Sequence, residues 1–213
     1  MTAKVIKDFY PNLFSWKELE YLINLRPLMT YDRVQFEGKD NFQWDDVEWC
    51  LDNDCFPAPI IRDAIHNGVC HFLDMSKSTS KINHLCGVFE KKFDKPVDAH
   101  VYACKNIEAK HPFGIHFDYN TNIIIQCEGA TNFKVWYDGL CDLREDNANL
   151  TMTEDPFIDC DLYPGDAIFI PAFFPHLATS TTHRLSVSFP KMIFGEKQLK
   201  LEDYTETFKS LSA

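Results

Sequence analysis

Two short stretches of this 213-residue chain carry side chains that could do chemistry. One is Gly114-Ile115-His116-Phe117-Asp118. The other runs Pro164-Gly165-Asp166-Ala167-Ile168-Phe169-Ile170-Pro171 and continues through Phe173-Phe174-Pro175-His176. His116 and Asp118 are two residues apart, a spacing that turns both side chains to one face of a strand. An imidazole and a carboxylate then occupy adjacent corners of a coordination polyhedron. A distant second histidine, His176 on a facing strand, completes a set of two His and one carboxylate. That set leaves three positions open, as a non-haem Fe(II) oxygenase requires. His-x-Asp alone is a weak signal, because it arises by chance in many chains. The second stretch strengthens it. Pro-Gly-Asp followed by apolar residues and Pro is a tight turn feeding a buried strand, and His176 lies just past that strand.

The elements that must hold these groups can be read from periodicity and punctuation. Ser15-Trp16-Lys17-Glu18 is a capping box, followed by Leu19, Leu22 and Ile23 at helical spacing. A second helix is predicted to begin near Pro59, with Ile60, Ile61, Ala64, Ile65, Phe72 and Leu73 on its apolar face. A third is predicted from Ile82 to Phe93, and Pro96 then stops helix. Residues 31–56 differ, with eight acids against two bases interleaved with Tyr31, Phe36, Phe42, Trp44, Trp49 and Phe56. This is either an acidic surface segment whose aromatics pack on the core or a substrate-facing arm. After Pro96 come short β-rich runs at 97–104, 122–127, 133–137, 166–171 and 184–189, separated by Gly114, Gly129, Asp138-Gly139 and Pro164-Gly165. No helical pattern lies between them, which excludes a doubly wound parallel sheet and points to a sandwich or jelly roll. The expected organisation is a helical region over 1–95 packed on a β core over 96–192. A tail over 193–213 contains a short helix at about 196–210. All three would form one structural domain.

Composition bounds the partners. The formal net charge is −11, and no cluster of Lys and Arg is present, which argues against nucleic acid and favours a basic substrate. The eight cysteines form no C-x-x-C pair, against a zinc ribbon or thioredoxin-like site. The N-terminal stretch lacks the apolar region and cleavage site of a signal peptide. The expectation is reduced, mostly buried thiols in a cytoplasmic protein. No apolar run reaches the roughly 18–20 residues that span a membrane.

Against this background, HFDYNTNIIIQCEGATNFKVW at 116–136 and GDAIFIPAFFPHLATSTTHRLSVSF at 165–189 resemble the two metal-binding segments of JmjC-related, cupin-like oxygenases. The asparaginyl-hydroxylase-type and ribosomal-oxygenase-type members are included, and the resemblance spans roughly residues 97–190. It implies a mainly β fold with flanking α-helices around a double-stranded β-helix, or jelly-roll, core. It also implies Fe(II), with 2-oxoglutarate and dioxygen as cosubstrates. The reaction would be hydroxylation, or demethylation through hydroxylation, of a protein side chain rather than a small molecule. A homodimer formed through terminal helices is a further implication. Carried over residue by residue, His116, Asp118 and His176 match the metal ligands. Asn122 and Gln126 match polar positions on the next strand, Asn122 reaching the cosubstrate. Tyr102 lies where a hydroxyl often approaches 2-oxoglutarate.

One position departs from the pattern. Many relatives grip the distal carboxylate of 2-oxoglutarate with a Lys or Arg thirteen residues after the metal-binding Asp. That position here is Thr131, beside Asn132. Arg184, followed by Ser186 on the same strand face, is the preferred substitute, because a guanidinium can bind a carboxylate bidentately. Lys134 is the other candidate. Phe113, Phe117, Phe173 and Phe174 either wall the site or pack in the core. His100 shares the parity of Tyr102 and could line the same cavity. His111 is placed in a turn before the metal strand, His183 on an exposed face, and His66, His71 and His84 on helices. Two rival functions stay open: a metal cupin of another activity, such as an isomerase or a cosubstrate-independent dioxygenase, and a catalytically silent binding module.

Overall fold

The computed structural model describes residues 2–25, 28–37, 55–106, 114–137 and 150–191. Among them are three helices and eight strands, arranged as β1 (Lys4–Ile6), α1 (Trp16–Ile23), β2 (Val34–Glu37), α2 (Ala58–Asn67), β3 (Val69–Phe72), α3 (Ser80–Phe93), β4 (His100–Cys104), β5 (Asn122–Val135), β6 (Ile158–Leu162), β7 (Ala167–Ile170) and β8 (His176–Pro190). Each helix start has a local cause. At α1 the Ser15 hydroxyl accepts from the Glu18 N–H at 3.3 Å and donates to the Glu18 carboxylate at 2.7 Å. At α2 Pro57 and Pro59 restrict the backbone of the first turn. At α3 the Thr79 hydroxyl accepts from the Ile82 N–H.

The first third is less helical than its periodicity implies. α2 ends at Asn67, where Gly68 turns extended, and residues 69–72 are strand. Phe72 and Leu73 therefore do not belong to the α2 face, and His71 sits on a strand. Val69–Phe72 is buried on both faces, and periodicity cannot separate such a short run from buried helix. β1, β2 and β3 all join the main sheet, in the order β1-β7-β5-β8-β4-β3-β2. The tail at 196–210 and the aromatics Phe42, Trp44 and Trp49 lie outside the described residues. Tyr31 and Phe36 pack edge-on against the buried Phe56, at centroid distances of 4.4 and 4.7 Å. These three aromatics of the acidic segment face the core.

β5 and β8 are long antiparallel partners shared by two layers. The first half of β5 pairs with β7 and with the end of β8, Val187–Pro190. Its second half, Thr131–Val135, pairs with β6 and with the start of β8, His176–Ser180. The register shifts between Gln126 and Glu128 and again between Gly129 and Thr131, and such irregularities bend a strand. The result is the jelly roll. Ile125, Leu185, Val187, Phe189, Val101 and Ala103 face outward onto α1, α2 and α3, forming the larger core cluster. Ile124, Phe133, Val135, Leu162, Ile168, Ile170 and Phe174 fill one end of the interior. No helix among the described residues is long and apolar enough to cross a membrane, and the six described cysteines are all free.

The bend leaves no room at Gly129. Its φ is +71°, and a Cβ there would sit 1.6 Å from the His183 carbonyl oxygen. Gly129→Ala is expected to destabilise the fold by about 3 kcal/mol or more, combining left-handed strain with backbone overlap. Urea unfolding at pH 7 measures this.

Candidate metal centre

The antiparallel pairing at the start of β8 also builds the site. His116 and His176 form an isolated β-bridge, each N–H donating to the other's carbonyl at 3.1 and 2.7 Å. The residue between His116 and Asp118, Phe117, faces away and is buried. The Phe173 N–H donates to the Asp118 carbonyl at 2.8 Å, with Phe173 in the left-handed region at φ 66°. Backbone contacts thus fix all three chemistry-bearing residues against one another.

Their donor atoms converge. One ligand atom from each of His116, Asp118 and His176 lies within 4.8 Å of the others. The His116 and His176 Nε2 atoms lie 4.0 and 3.8 Å from the two Asp118 carboxylate oxygens. The tautomers follow from the remaining ring nitrogens. His116 Nδ1 lies 3.2 Å from the Gly114 carbonyl and His176 Nδ1 lies 2.9 Å from the Phe174 carbonyl. A carbonyl only accepts, so each Nδ1 carries the proton and each Nε2 presents its lone pair inward. Burial is the main influence pulling the His116 pKa down to about 4, helped by His176 and opposed by Asp118. A neutral imidazole is the form that binds a metal. Asn122 orients the carboxylate, donating to Asp118 Oδ2 at 3.2 Å while accepting from the Ser188 hydroxyl at 2.6 Å.

A buried cation lies on the same interior. Arg184, Ser186 and Ser188 share the inward face of β8, and the Arg184 side chain is wholly enclosed. Its Nε donates to Ser186 Oγ at 3.0 Å, and its Cζ lies 5.0 Å from the Tyr102 ring and 5.8 Å from the Phe133 ring. One terminal nitrogen has no hydrogen-bond partner among the described residues, nor do Thr131 Oγ1 and Gln126 Oε1. Burial lowers the guanidinium pKa only to about 10, so it stays charged. A buried charge without a counter-ion is expensive, and an anionic ligand relieves that cost.

The chain was compared with known proteins. The family model described as the JmjC domain matches residues 63–198, more than half of the chain. The chain belongs to the JmjC-domain family. Over 120 residues it is 28% identical to two curated relatives, each a bifunctional lysine-specific demethylase and histidyl-hydroxylase NO66, from Drosophila pseudoobscura pseudoobscura and Drosophila persimilis. The match covers 54% of this chain but only 12% and 17% of those proteins. The fold is similar to that of Escherichia coli ycfD, with a TM-score of 0.65 at 14% identity over 99% of this chain and 54% of that one. The Escherichia coli ribosomal oxygenase YcfD in complex with cobalt and 2-oxoglutarate gives 0.58 at 15% identity, over 98% and 52%.

Within this JmjC-family chain the predicted site residues separate into two groups. Tyr102, Asn122, Gln126, Thr131, Arg184 and Ser186 lie on the inward faces of β4, β5 and β8. Lys134 does not: it points outward and pairs with Asp159 at 3.4 Å, because strand alternation sends it opposite to its inward neighbours Phe133 and Val135. Asn132 also faces outward, bonding Asp159 and Asp161. Phe117 and Phe173 pack with Tyr119 beside the triad, whereas Phe174 belongs to the interior core. His183 is exposed beside Trp16, His100 pairs with Asp98, and His66 and His84 are on α2 and α3. His111 and Phe113 lie outside the described residues. Two inward residues escaped the sequence reading. Ser188 was legible in the alternation of Arg184, Ser186 and Ser188; His71 was hidden by the helical reading of β3.

Burial holds His116 near 4 and His71 near 3, against about 6.5 in an unfolded chain. As pH falls below 6.5 the unfolded chain binds protons that the folded one does not, so stability is lost progressively toward pH 4. Urea midpoints of metal-free protein should therefore fall between pH 7 and pH 4.5, and fall less in His71→Phe.

Proposed function

We propose that this chain is an Fe(II)- and 2-oxoglutarate-dependent dioxygenase that hydroxylates a protein side chain, or demethylates one through hydroxylation. The observation that carries the reading is the pairing of two features inside one barrel. A facial set of two imidazoles and a carboxylate shares the interior with a buried guanidinium that has no ion-pair partner among the described residues. The donor set fits Fe(II), with mixed nitrogen and oxygen ligands and positions left open. The unmatched cation fits the distal carboxylate of a dicarboxylic cosubstrate. The relatives named as acting on lysyl and histidyl residues, and the ribosomal oxygenase, support a protein substrate.

When bound, Fe(II) with 2-oxoglutarate and dioxygen supplies the oxidising power to hydroxylate an unactivated C–H bond, with succinate and carbon dioxide as coproducts. The chain supplies geometry and exclusion of water. His116 and His176 offer Nε2, because the Gly114 and Phe174 carbonyls engage Nδ1 on the far side of each ring. Asp118 offers its carboxylate, turned by Asn122 and indirectly by Ser188. Arg184 holds the distal carboxylate, with Ser186 fixing the guanidinium and Tyr102 lying along it. The apolar cluster around Ile124, Phe133 and Ile168 keeps water from one end of the interior. Tyr119 and Phe173, packed on the buried Phe117, form the aromatic rim beside the triad, where a substrate side chain would approach. Thr131 is neutral, and among the described residues Arg184 is the candidate for this role.

His116→Ala is expected to lose stoichiometric binding of Fe(II) or a surrogate ion and all 2-oxoglutarate-dependent succinate formation. Unchanged metal content would remove His116 from the ligand set. Metal retention in the wild type without any succinate formation, across candidate basic peptides, would favour a silent binding module. Arg184→Met is expected to weaken 2-oxoglutarate binding about 100-fold, since a charge-assisted bidentate contact is lost. Its ligand-free stability should hold or rise, because an uncompensated buried charge is replaced by an apolar side chain of similar length. Calorimetry and thermal melting read the two effects separately.

A further inference from the structure

Asp118 presents two oxygens to the gap between the imidazoles, and they stand almost symmetrically. Oδ1 lies 4.0 Å from His116 Nε2, and Oδ2 lies 3.8 Å from His176 Nε2. Either oxygen, or both together, could close on an ion in that gap, because a carboxylate binds metals through one oxygen or two. The backbone does not decide between these modes. The Phe173 N–H on the Asp118 carbonyl and the Lys191 N–H on the Thr121 carbonyl tie down both ends of the short loop before β5. The Asp118 side chain is 37% exposed and can still turn about its own bonds.

One contact breaks the symmetry. The Asn122 amide donates to Oδ2 at 3.2 Å, whereas Oδ1 accepts no hydrogen bond among the described residues. The amide is itself fixed. Asn122 and Ser188 are diagonal neighbours on the inward faces of β5 and β8, and both are buried. The Ser188 hydroxyl donates to Asn122 Oδ1 at 2.6 Å. A carboxylate only accepts, so the amide can face Asp118 only with its nitrogen, and Ser188 satisfies the oxygen behind it.

We propose that Asn122, anchored by Ser188, holds Asp118 to coordination through one oxygen and so keeps a further position of the metal open. The proposal rests on the metal-site reading above. Asn122 is then a positioning residue that acts on Asp118, not on the cosubstrate to which the family resemblance assigned it. Its N–H keeps Oδ2 turned aside and leaves Oδ1 as the ligand. The amide is neutral, so it does this without adding charge beside the ion. Without that restraint both oxygens close on the ion, and Asp118 itself fills a position that incoming ligands need.

The test counts the waters on Mn(II) bound to the protein without cosubstrate, by solvent-proton relaxation. The wild type should hold about three and Asn122→Ala about two. Ser188→Ala, which frees the amide to turn, should lie between them. Asn122→Ala leaves the Ser188 hydroxyl buried without its acceptor, a cost that the Asn122→Ala/Ser188→Ala double variant removes. The double variant should also give about two, since Ser188 acts only through Asn122. Mn(II) affinity should fall less than the roughly 10–100-fold that loss of a ligand's hydrogen-bonded neighbour ordinarily costs, because the freed oxygen adds a bond. An unchanged water count with weaker 2-oxoglutarate binding overturns the proposal and returns Asn122 to the cosubstrate. A wild type with about two waters, or loss of Mn(II) binding in the double variant, also overturns it. An unchanged count in Ser188→Ala overturns the anchoring, and this variant decides the matter if neither Asn122 variant folds. Absence of Mn(II) binding in the wild type overturns the metal-site reading as well.

Discussion

The pairing of β5 with β8 is the constraint on which the rest of the molecule depends. It runs from Asn122 opposite Pro190 to Val135 opposite His176, and almost every polar group of the interior hangs from it. Side chains alternate along a strand, so a slip of one residue would exchange the two faces. Arg184, Ser186 and Ser188 would then meet the helices, and Leu185, Val187 and Phe189 would fill the pocket. The outward apolar set packed on α1, α2 and α3 prevents this slip. Helix packing on the outside is what keeps the inside polar. The register shifts around Gln126 and Gly129 are equally necessary. They carry β5 from one layer to the other, so that Asn122 can reach Asp118 while Thr131 and Phe133 face Arg184 from the same strand.

That polar interior stands in tension with stability. The barrel encloses a guanidinium, two imidazoles with depressed pKa values, and the Thr131 hydroxyl and Gln126 amide oxygens, which have no hydrogen-bond partner among the described residues. Each raises the free energy of the empty protein. The compensation comes from elsewhere: the large outer core and the apolar plug on which Phe133 and Phe174 close one end. Gln126, Thr131 and Arg184, whose unmatched polar atoms share one interior, are what a preorganised site presents to a ligand.

The sequence made some of this plain and concealed the rest for identifiable reasons. The convergence of His116, Asp118 and His176 was legible because a two-residue spacing turns both side chains one way in extended backbone, although only an isolated bridge forms at His116, and because Pro164-Gly165-Asp166 announces the turn before β7. Asp166 bears this out structurally: its carboxylate accepts from the Tyr163 and Asp8 N–H groups and pairs with Lys7, tying the turn to β1. The strand character of 69–72 was not legible, since a short run buried on both faces has no periodicity to read. Its loss carried His71 onto the wrong element. Lys134 was misjudged for a related reason. Counting along the chain from Asp118 ignores the bulges that reset which residues of β5 face inward, and only the register shows that Phe133 and Val135 take the interior.

The exchange of Thr131 and Arg184 is more than a substitution of one cation for another. The two positions lie on different strands but converge on one space: Arg184 reaches the ring of Phe133, two residues along the inward face from Thr131. A long basic side chain at 131 would project into the volume that the Arg184 guanidinium fills. The two cations would also repel each other without solvent to screen them. The pocket therefore accommodates a cation from β5 or from β8, but not from both. A short neutral residue at 131 is the condition for an arginine at 184. The absence that first weakened the case for a dicarboxylic cosubstrate becomes, once the register is known, part of the argument for it.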